Sequence, residues 1–396
     1  MLRREIARRL LAMGSKYRTL LVTGPRGAGK TSLAQATFSR HAYVNLEEPE
    51  IREFARKCPR DFFRYYTGNL VIDEFRRAPE IMIHLQRAAA DGKHLRRFVL
   101  LSSHQPLPQR AGAARPAFRF AAAVTLLPLS FGELSGAKAK LGRDEYIYRG
   151  FMPCVYKRGA DVKALHRNWY ADYVDRDVRR LINLDNAAAF ERFTRMLAGR
   201  VGQIINLNSL AGDIGVSQTT LTAWTSVLEA GYVIFRLPAY YNNFDRRIVK
   251  ASKLYFTDVG LASYLLGIEN SRQVFRDPQV GNLFENMVVA EALKTRCNRA
   301  ESGGLYYFRN QNGLEIDLIM EKPKGVGNGA IIPVEIKAAS SFNASFSKNI
   351  RLFRKLSGRI REGYVIYSGE KQGQARGEDV NYLNFKMTRE LVDAST

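Results

Sequence analysis

The sequence predicts an α/β protein in which a parallel-sheet core comes first and a second, separate α/β domain comes last. Three observations predict it. Between residues 19 and 130 the short apolar runs "TLLVTG", "AYVNLEE", "NLVIDEF", "RFVLLSS" and "AAVTLLPL" alternate with polar, helix-compatible stretches, the pattern of parallel strands wrapped by helices. Residues 131–190 carry helical signals, including "WYADYVDRDVRRL", and no strand pattern. Near the end, the amphipathic stretch "VGNLFENMVVAEALKTR" is followed by three strand-like runs, "LYYFRN", "GLEIDLIM" and "IPVEIKAA".

Composition bounds the remaining choices. A chain of 396 residues with 46% hydrophobic content buries substantial cores, and its length suggests two to four domains. The three cysteines, Cys58, Cys154 and Cys297, are odd in number and far apart, so they support neither a disulfide framework nor a structural zinc cluster. The N-terminus starts basic, as a signal peptide does. Its apolar residues Leu2, Ile6, Leu10 and Met13 are nevertheless spaced like one helix face, and no apolar run approaches the roughly eighteen residues of a membrane span. The reading is a soluble, cytoplasmic protein without a membrane role. The 61 Lys+Arg against 38 Asp+Glu give a formal charge of +23, which draws a chain toward polyanions. Nucleic acid is the first such partner, and surface solubility, an acidic protein partner or a membrane face are the alternatives.

The first site is local. Gly24-Pro25-Arg26-Gly27-Ala28-Gly29-Lys30-Thr31 satisfies G-x-x-x-x-G-K-[ST] and lies between the strand "TLLVT" and the helix "TSLAQATFSR", with Ser32 following. Its glycines let backbone N–H groups wrap a phosphate chain, and the helix N-terminus adds positive field. Lys30 reaches the outer phosphates, and Thr31 can ligate magnesium. In "NLVIDEF" an apolar strand ends in Asp73-Glu74: the first acid can hold the magnesium, and the second can orient or deprotonate an attacking water. These residues point to ATP and Mg2+. Ser102, Ser103 and His104 end the next strand, where Ser103 can sense the terminal phosphate. Arg110, Arg115 and Arg119 are candidates for an arginine acting in trans, which leaves homo-oligomer formation open.

The order "LVTGPRGAGKTSL", "LVIDEFRRAPEI", "FVLLSS", "LLPLSFGEL" and "YVDRDVRRL" resembles bacterial and archaeal ATPases of the AAA superfamily that carry a C-terminal domain of unknown function. The resemblance spans nearly the whole chain. It departs at Arg76, where that family usually has Gln, and at Leu101-Ser102-Ser103, where it more often has Thr-Gly-Ser. It implies ATP hydrolysis with Lys30, Thr31, Asp73, Glu74 and Ser103 in the roles above.

In the middle of the chain Ala211, Gly215, Leu221 and Trp224 have the spacing of a helix-turn-helix, with Ser217 a natural N-cap, and "YVIFRLPAYY" reads as the hairpin of a winged helix. The outer side expected for its second helix, Gln218, Thr219, Thr222 and Thr225, is uncharged. DNA contact and protein docking therefore both stay open, with Arg246, Arg247, Lys250 and Lys253 available to grip phosphates.

At the C-terminal end Asp317 is expected to close one strand, while Glu335 and Lys337 stand on one face of another; "IIPV" and "LIM" imply burial, where charges are costly unless paired or holding metal. Helix, strand, acidic strand and Glu-x-Lys strand resemble the PD-(D/E)XK nucleases, above all the core of archaeal Holliday-junction resolvases. The resemblance implies a restriction-endonuclease-like fold in which Asp317, Glu335 and Glu285 hold Mg2+ or Mn2+ and Lys337 polarises the attacking water, with branched DNA as substrate. A salt bridge on an ordinary sheet, or a domain that binds without cutting, is the alternative. The expected organisation is thus a P-loop ATPase core at 1–130, a helical lid or spacer at 131–190, a winged helix at 191–250 and a nuclease-like domain at 251–396.

Overall fold

The computed structural model describes residues 2–90, 96–105, 121–135, 141–182, 184, 186–240, 251–322, 330–357, 359–360, 362–374 and 380–394. Arg110, Arg115, Arg119, Arg246, Arg247 and Lys250 lie outside the described residues. The chain divides into two compact units: residues 1–129 with 230–232 and 297–301, and residues 130–229, 233–296 and 302–396.

The first unit is a five-stranded parallel sheet of β1 (Thr19–Thr23), β2 (Ala42–Asn45), β3 (Leu70–Asp73), β4 (Phe98–Ser102) and β5 (Ala121–Thr125), in the order β2-β3-β4-β1-β5. β1, β3 and β4 are buried along their whole length because both faces are covered, so they read as unbroken apolar runs. Alternate residues feed two layers. Leu21, Ile72 and Leu100 join Phe62, Phe63 and Phe98 on one side, while Leu20, Val22, Val71, Val99 and Leu101 join Ile6, Leu10 and Leu33 on the other. The N-terminal helix, Ala7–Lys16, docks through the apolar face anticipated from its spacing. The order places β4 between β1 and β3, which brings the ends of these three strands side by side.

The second unit begins with helices. Val162–Tyr173 runs through a π-helical turn, Val174–Val178, into Arg179–Leu181, matching the long helix expected there. Leu207–Ile214 and Gln218–Ala230 follow, joined at Gly215, whose φ of 81° suits glycine, and Ser217 Oγ caps the second helix at Thr220 N–H. Leu221 and Trp224 are buried as the spacing required. Thr225 is not on the outer side: it is buried, with its hydroxyl bonded to the Leu221 carbonyl. A three-stranded antiparallel sheet in the order β6-β8-β7 accompanies these helices, formed by β6 (Gln203–Ile204), β7 (Ile234–Leu237) and β8 (Lys253–Phe256).

The last sheet contains β9 (Leu305–Arg309), β10 (Glu315–Glu321), β11 (Ile331–Lys337), β12 (Gly363–Tyr367), β13 (Gly373–Gln374) and β14 (Val380–Asn384), ordered β13-β14-β12-β11-β10-β9. β9, β10 and β11 pair antiparallel, whereas β11, β12 and β14 run parallel. Asp317 does not close its strand. It lies inside β10 where the register with β9 slips between Ile316 and Ile319, a bulge that re-aims the side chains around it.

Candidate functional site

The loop after β1 is shaped by its glycines. A Cβ on Gly24, at φ 149°, would stand 1.9 Å from the Leu126 carbonyl oxygen, and Gly27 and Gly29 also have positive φ. Arg4, buried, donates to the carbonyls of Ala28 and Leu127 and so ties the loop to the chain just past the end of β5. Lys30 is buried and donates to the carbonyls of Gly24 and Pro25 at 2.9 and 3.0 Å and to Ser103 Oγ at 3.1 Å.

Thr31 Oγ1 donates to Asp73 Oδ2 at 2.5 Å. Glu74, held at φ 48°, accepts from the Ser103 hydroxyl, so Ser103 stands between the lysine and the second acid. These are the side chains that the order β3-β4-β1 brings together. With Arg26, Gly27, Gly29 and Ser32 they line a cavity of about 350 Å³. Thr31 and Asp73, already in contact, offer the oxygens a magnesium ion takes, and the residues fit that ion with a nucleotide.

Edge strand β2 and the turn after it supply groups that the sequence did not reveal. Tyr43, Asn45 and Glu47 also line the cavity. The Tyr43 hydroxyl donates to Asp73 Oδ2 at 2.9 Å, and burial followed by the Asp73 charge holds that hydroxyl above its usual range. Glu47 Oε1 accepts from Arg26 at 3.0 Å and from Arg77 at 2.7 Å. Burial alone would raise the Glu47 carboxyl, but the two guanidinium groups bring it below the usual range.

The second constellation lies in the other unit. Lys337 Nζ reaches Glu335 Oε2 at 2.6 Å and Asp317 Oδ2 at 3.4 Å, and Asp317 Oδ2 also accepts from the Ile336 N–H at 2.8 Å. Glu335 is 2% exposed; burial, with the Asp317 charge adding to it, pushes its carboxyl up to about 8.

Glu285, on the helix Val280–Asn298, meets Lys253 at 3.0 Å and the Tyr255 hydroxyl at 2.6 Å, and is pushed up to about 7 by burial and by Asp317. Lys253 is therefore not an exposed phosphate grip: at 3% exposure it is enclosed by Glu285 and by Glu315, the latter at 2.5 Å. Glu291, six residues beyond Glu285, serves elsewhere, accepting the Phe131 N–H at 2.8 Å and pairing with Lys294 at 3.0 Å.

Lys337 thus pairs with both Asp317 and Glu335, and Lys253 with Glu285 and Glu315. Among the described residues no group of three or more His, Cys, Asp or Glu is arranged to hold a metal ion. The residues do not fit a bound divalent ion in this arrangement.

Residues 16–135 match a family model described as an AAA domain; residues 142–272 and 280–386 match two described as domains of unknown function, DUF8612 and DUF4143. Uncharacterized proteins of Mycobacterium bovis and Mycobacterium tuberculosis are each 28% identical over 378 residues, covering 93% of this chain and 80% of theirs. Among solved structures, a Walker-type ATPase of Pyrococcus abyssi is similar over 67% of this chain and 96% of its own, at 14% identity and a TM-score of 0.46. No described helix is long and apolar enough to cross a membrane. Residues 16–135 thus match an AAA domain, and the regions that follow match two domains of unknown function.

Proposed function

We propose that this protein binds and hydrolyses ATP in its first unit and acts on DNA. The observation that carries the reading is the meeting of Lys30, Thr31, Asp73, Glu74 and Ser103 around one cavity. Backbone N–H groups of residues 26–31 cradle the phosphates, and Lys30 exchanges its carbonyl partners for outer phosphate oxygens. Thr31 and Asp73 hold the magnesium ion, which supplies charge neutralisation when bound. Glu74 aligns a water and accepts its proton, and Ser103, touching both Glu74 and Lys30, links the acid to the phosphate-binding lysine. Nucleotide binding and hydrolysis would then bias and reset the arrangement of the chain.

DNA as partner is supported by the net charge of +23 and by the paired helices Leu207–Ile214 and Gln218–Ala230, read as part of a winged helix. Phosphate release from ATP, measured with duplex, branched or single-stranded DNA and without, tests both parts. The account expects release stimulated by DNA and binding that weakens steeply with salt. No binding to any DNA at low salt would remove the partner.

For the C-terminal domain the first reading, from the nuclease resemblance, is metal-dependent cleavage of branched DNA, in which Asp317, Glu335 and Glu285 would hold Mg2+ or Mn2+ and Lys337 would position or polarise the attacking water, although these carboxylates do not fit such an ion as they stand. One observation favours a second reading, a nucleotide-controlled platform that binds without cutting: Lys253 and Lys337 already pair with these carboxylates. Incubation of labelled linear and four-way DNA with Mg2+ or Mn2+ separates the two. Cutting lost in Asp317→Ala and Lys337→Ala establishes the first.

A further inference from the structure

We infer that the ammonium group of Lys253 is the resident cation of the acidic cluster, and that it and a divalent ion exclude one another there. The inference deepens the reading of the C-terminal domain as a platform and rests on that reading, independently of ATP hydrolysis.

The cluster draws on three elements. Glu285 comes from the helix Val280–Asn298, Glu315 and Asp317 from β10, and Lys253 from the first position of β8. Lys253 Nζ lies 3.0 Å from Glu285 Oε1, 2.5 Å from Glu315 Oε1 and 5.5 Å from the centre of the Tyr307 ring. Tyr255, two residues along β8 and so on the same face, gives its hydroxyl to the same Glu285 oxygen. A lysine this buried is tolerated only when it is paired, and Glu285 and Glu315 pair with it directly.

The volume and the charge are therefore both taken. Oxygen ligands bind Mg2+ or Ca2+ at roughly 2.0–2.6 Å, so an ion seated on Glu285 and Glu315 would fall where the ammonium stands, against a like charge. The lysine is delivered by β8, which pairs antiparallel with β7. Admission of an ion requires Lys253 to withdraw.

The test is Mn2+ binding, read by electron paramagnetic resonance of the free ion, in full-length chains that all carry Asp73→Asn to silence the nucleotide site. Lys253→Gln and Lys253→Met are compared with the parent, with folding checked by circular dichroism. The account expects either substitution to tighten Mn2+ binding about tenfold or more, within the range seen when groups around a metal site are changed, and Glu285→Gln to abolish the gain.

A folded Lys253 variant with no gain overturns the inference, as does a parent chain whose Mn2+ binding is lost with Glu285→Gln. If both substitutions unfold the chain, the parent decides alone: Mn2+ binding sensitive to Glu285→Gln contradicts the account, and its absence upholds it. Mn2+-dependent DNA cleavage lost in Asp317→Ala would sink the platform reading itself. Mn2+ binding without cleavage would sink only the exclusion by Lys253.

Discussion

Thr31 hands its hydroxyl hydrogen to Asp73 across 2.5 Å, tying the start of the helix Lys30–Thr37 to the end of β3. Tyr43 reaches the same Asp73 oxygen from β2. The acid is therefore positioned from two sides.

Asp73→Asn keeps the size of the side chain and removes its charge. Hydrogen bonds to charged groups contribute about 1.5–3 kcal/mol, so magnesium-dependent nucleotide binding should weaken roughly 10- to 100-fold while the melting temperature changes little. Titration with a fluorescent nucleotide, with and without magnesium, checks this; the loss should be confined to the magnesium series.

Lys294 and Glu291 form a buried pair at 3.0 Å, with Lys294 also 3.5 Å from the centre of the Phe151 ring. Lys294→Ala leaves Glu291 buried without its cation and should destabilise the protein by about 3–5 kcal/mol. Replacing both together, Glu291→Gln with Lys294→Met, should recover part of that loss. Denaturant unfolding of the three chains measures it.

Glu47 is held below the usual carboxylate range by Arg26 and Arg77, despite its partial burial. A lowered folded-state value means that its stabilisation is fully present above the ordinary carboxylate pKa of about 4.3 and fades as pH falls through the folded value. Glu47→Gln should therefore flatten the acid limb of a stability profile below about pH 4.5. Its contribution is modest, because the pair is partly solvated. Melting temperatures between pH 3 and 7 test the sign; a slope unchanged by the substitution would contradict it.

Much of the first site was legible because its chemistry is contiguous. The loop from Gly24 to Thr31 and the strand end Asp73-Glu74 declare themselves by local spacing. What sequence order could not give is the neighbour relation of strands. Ser103 meets Lys30 and Glu74 only because β4 pairs between β1 and β3. Tyr43 escaped notice since β2 is an edge strand whose outward residues read as surface, and Glu47 since it lies in the turn after that strand.

The same holds in the second unit. Glu335-x-Lys337 announced a shared face through the period of a strand, but Lys253 and Tyr255 meet Glu285 and Glu315 from a strand some sixty residues before Glu315. A lysine in an apolar run carries no mark of its partner. Thr225 misled for a different reason: a hydroxyl can be buried on a helix by bonding the carbonyl four residues back, so polarity alone does not place it outside.

The central claim is that Glu74, placed beside Ser103 and Lys30, activates water against bound ATP. The direct measurement is phosphate release by the natural chain and by Glu74→Gln, with ATP affinity determined for both. The account predicts nucleotide binding within a few-fold of the natural chain and hydrolysis slower by about 10²- to 10⁴-fold, the usual contribution of a general base. Equal hydrolysis by the two chains would contradict it.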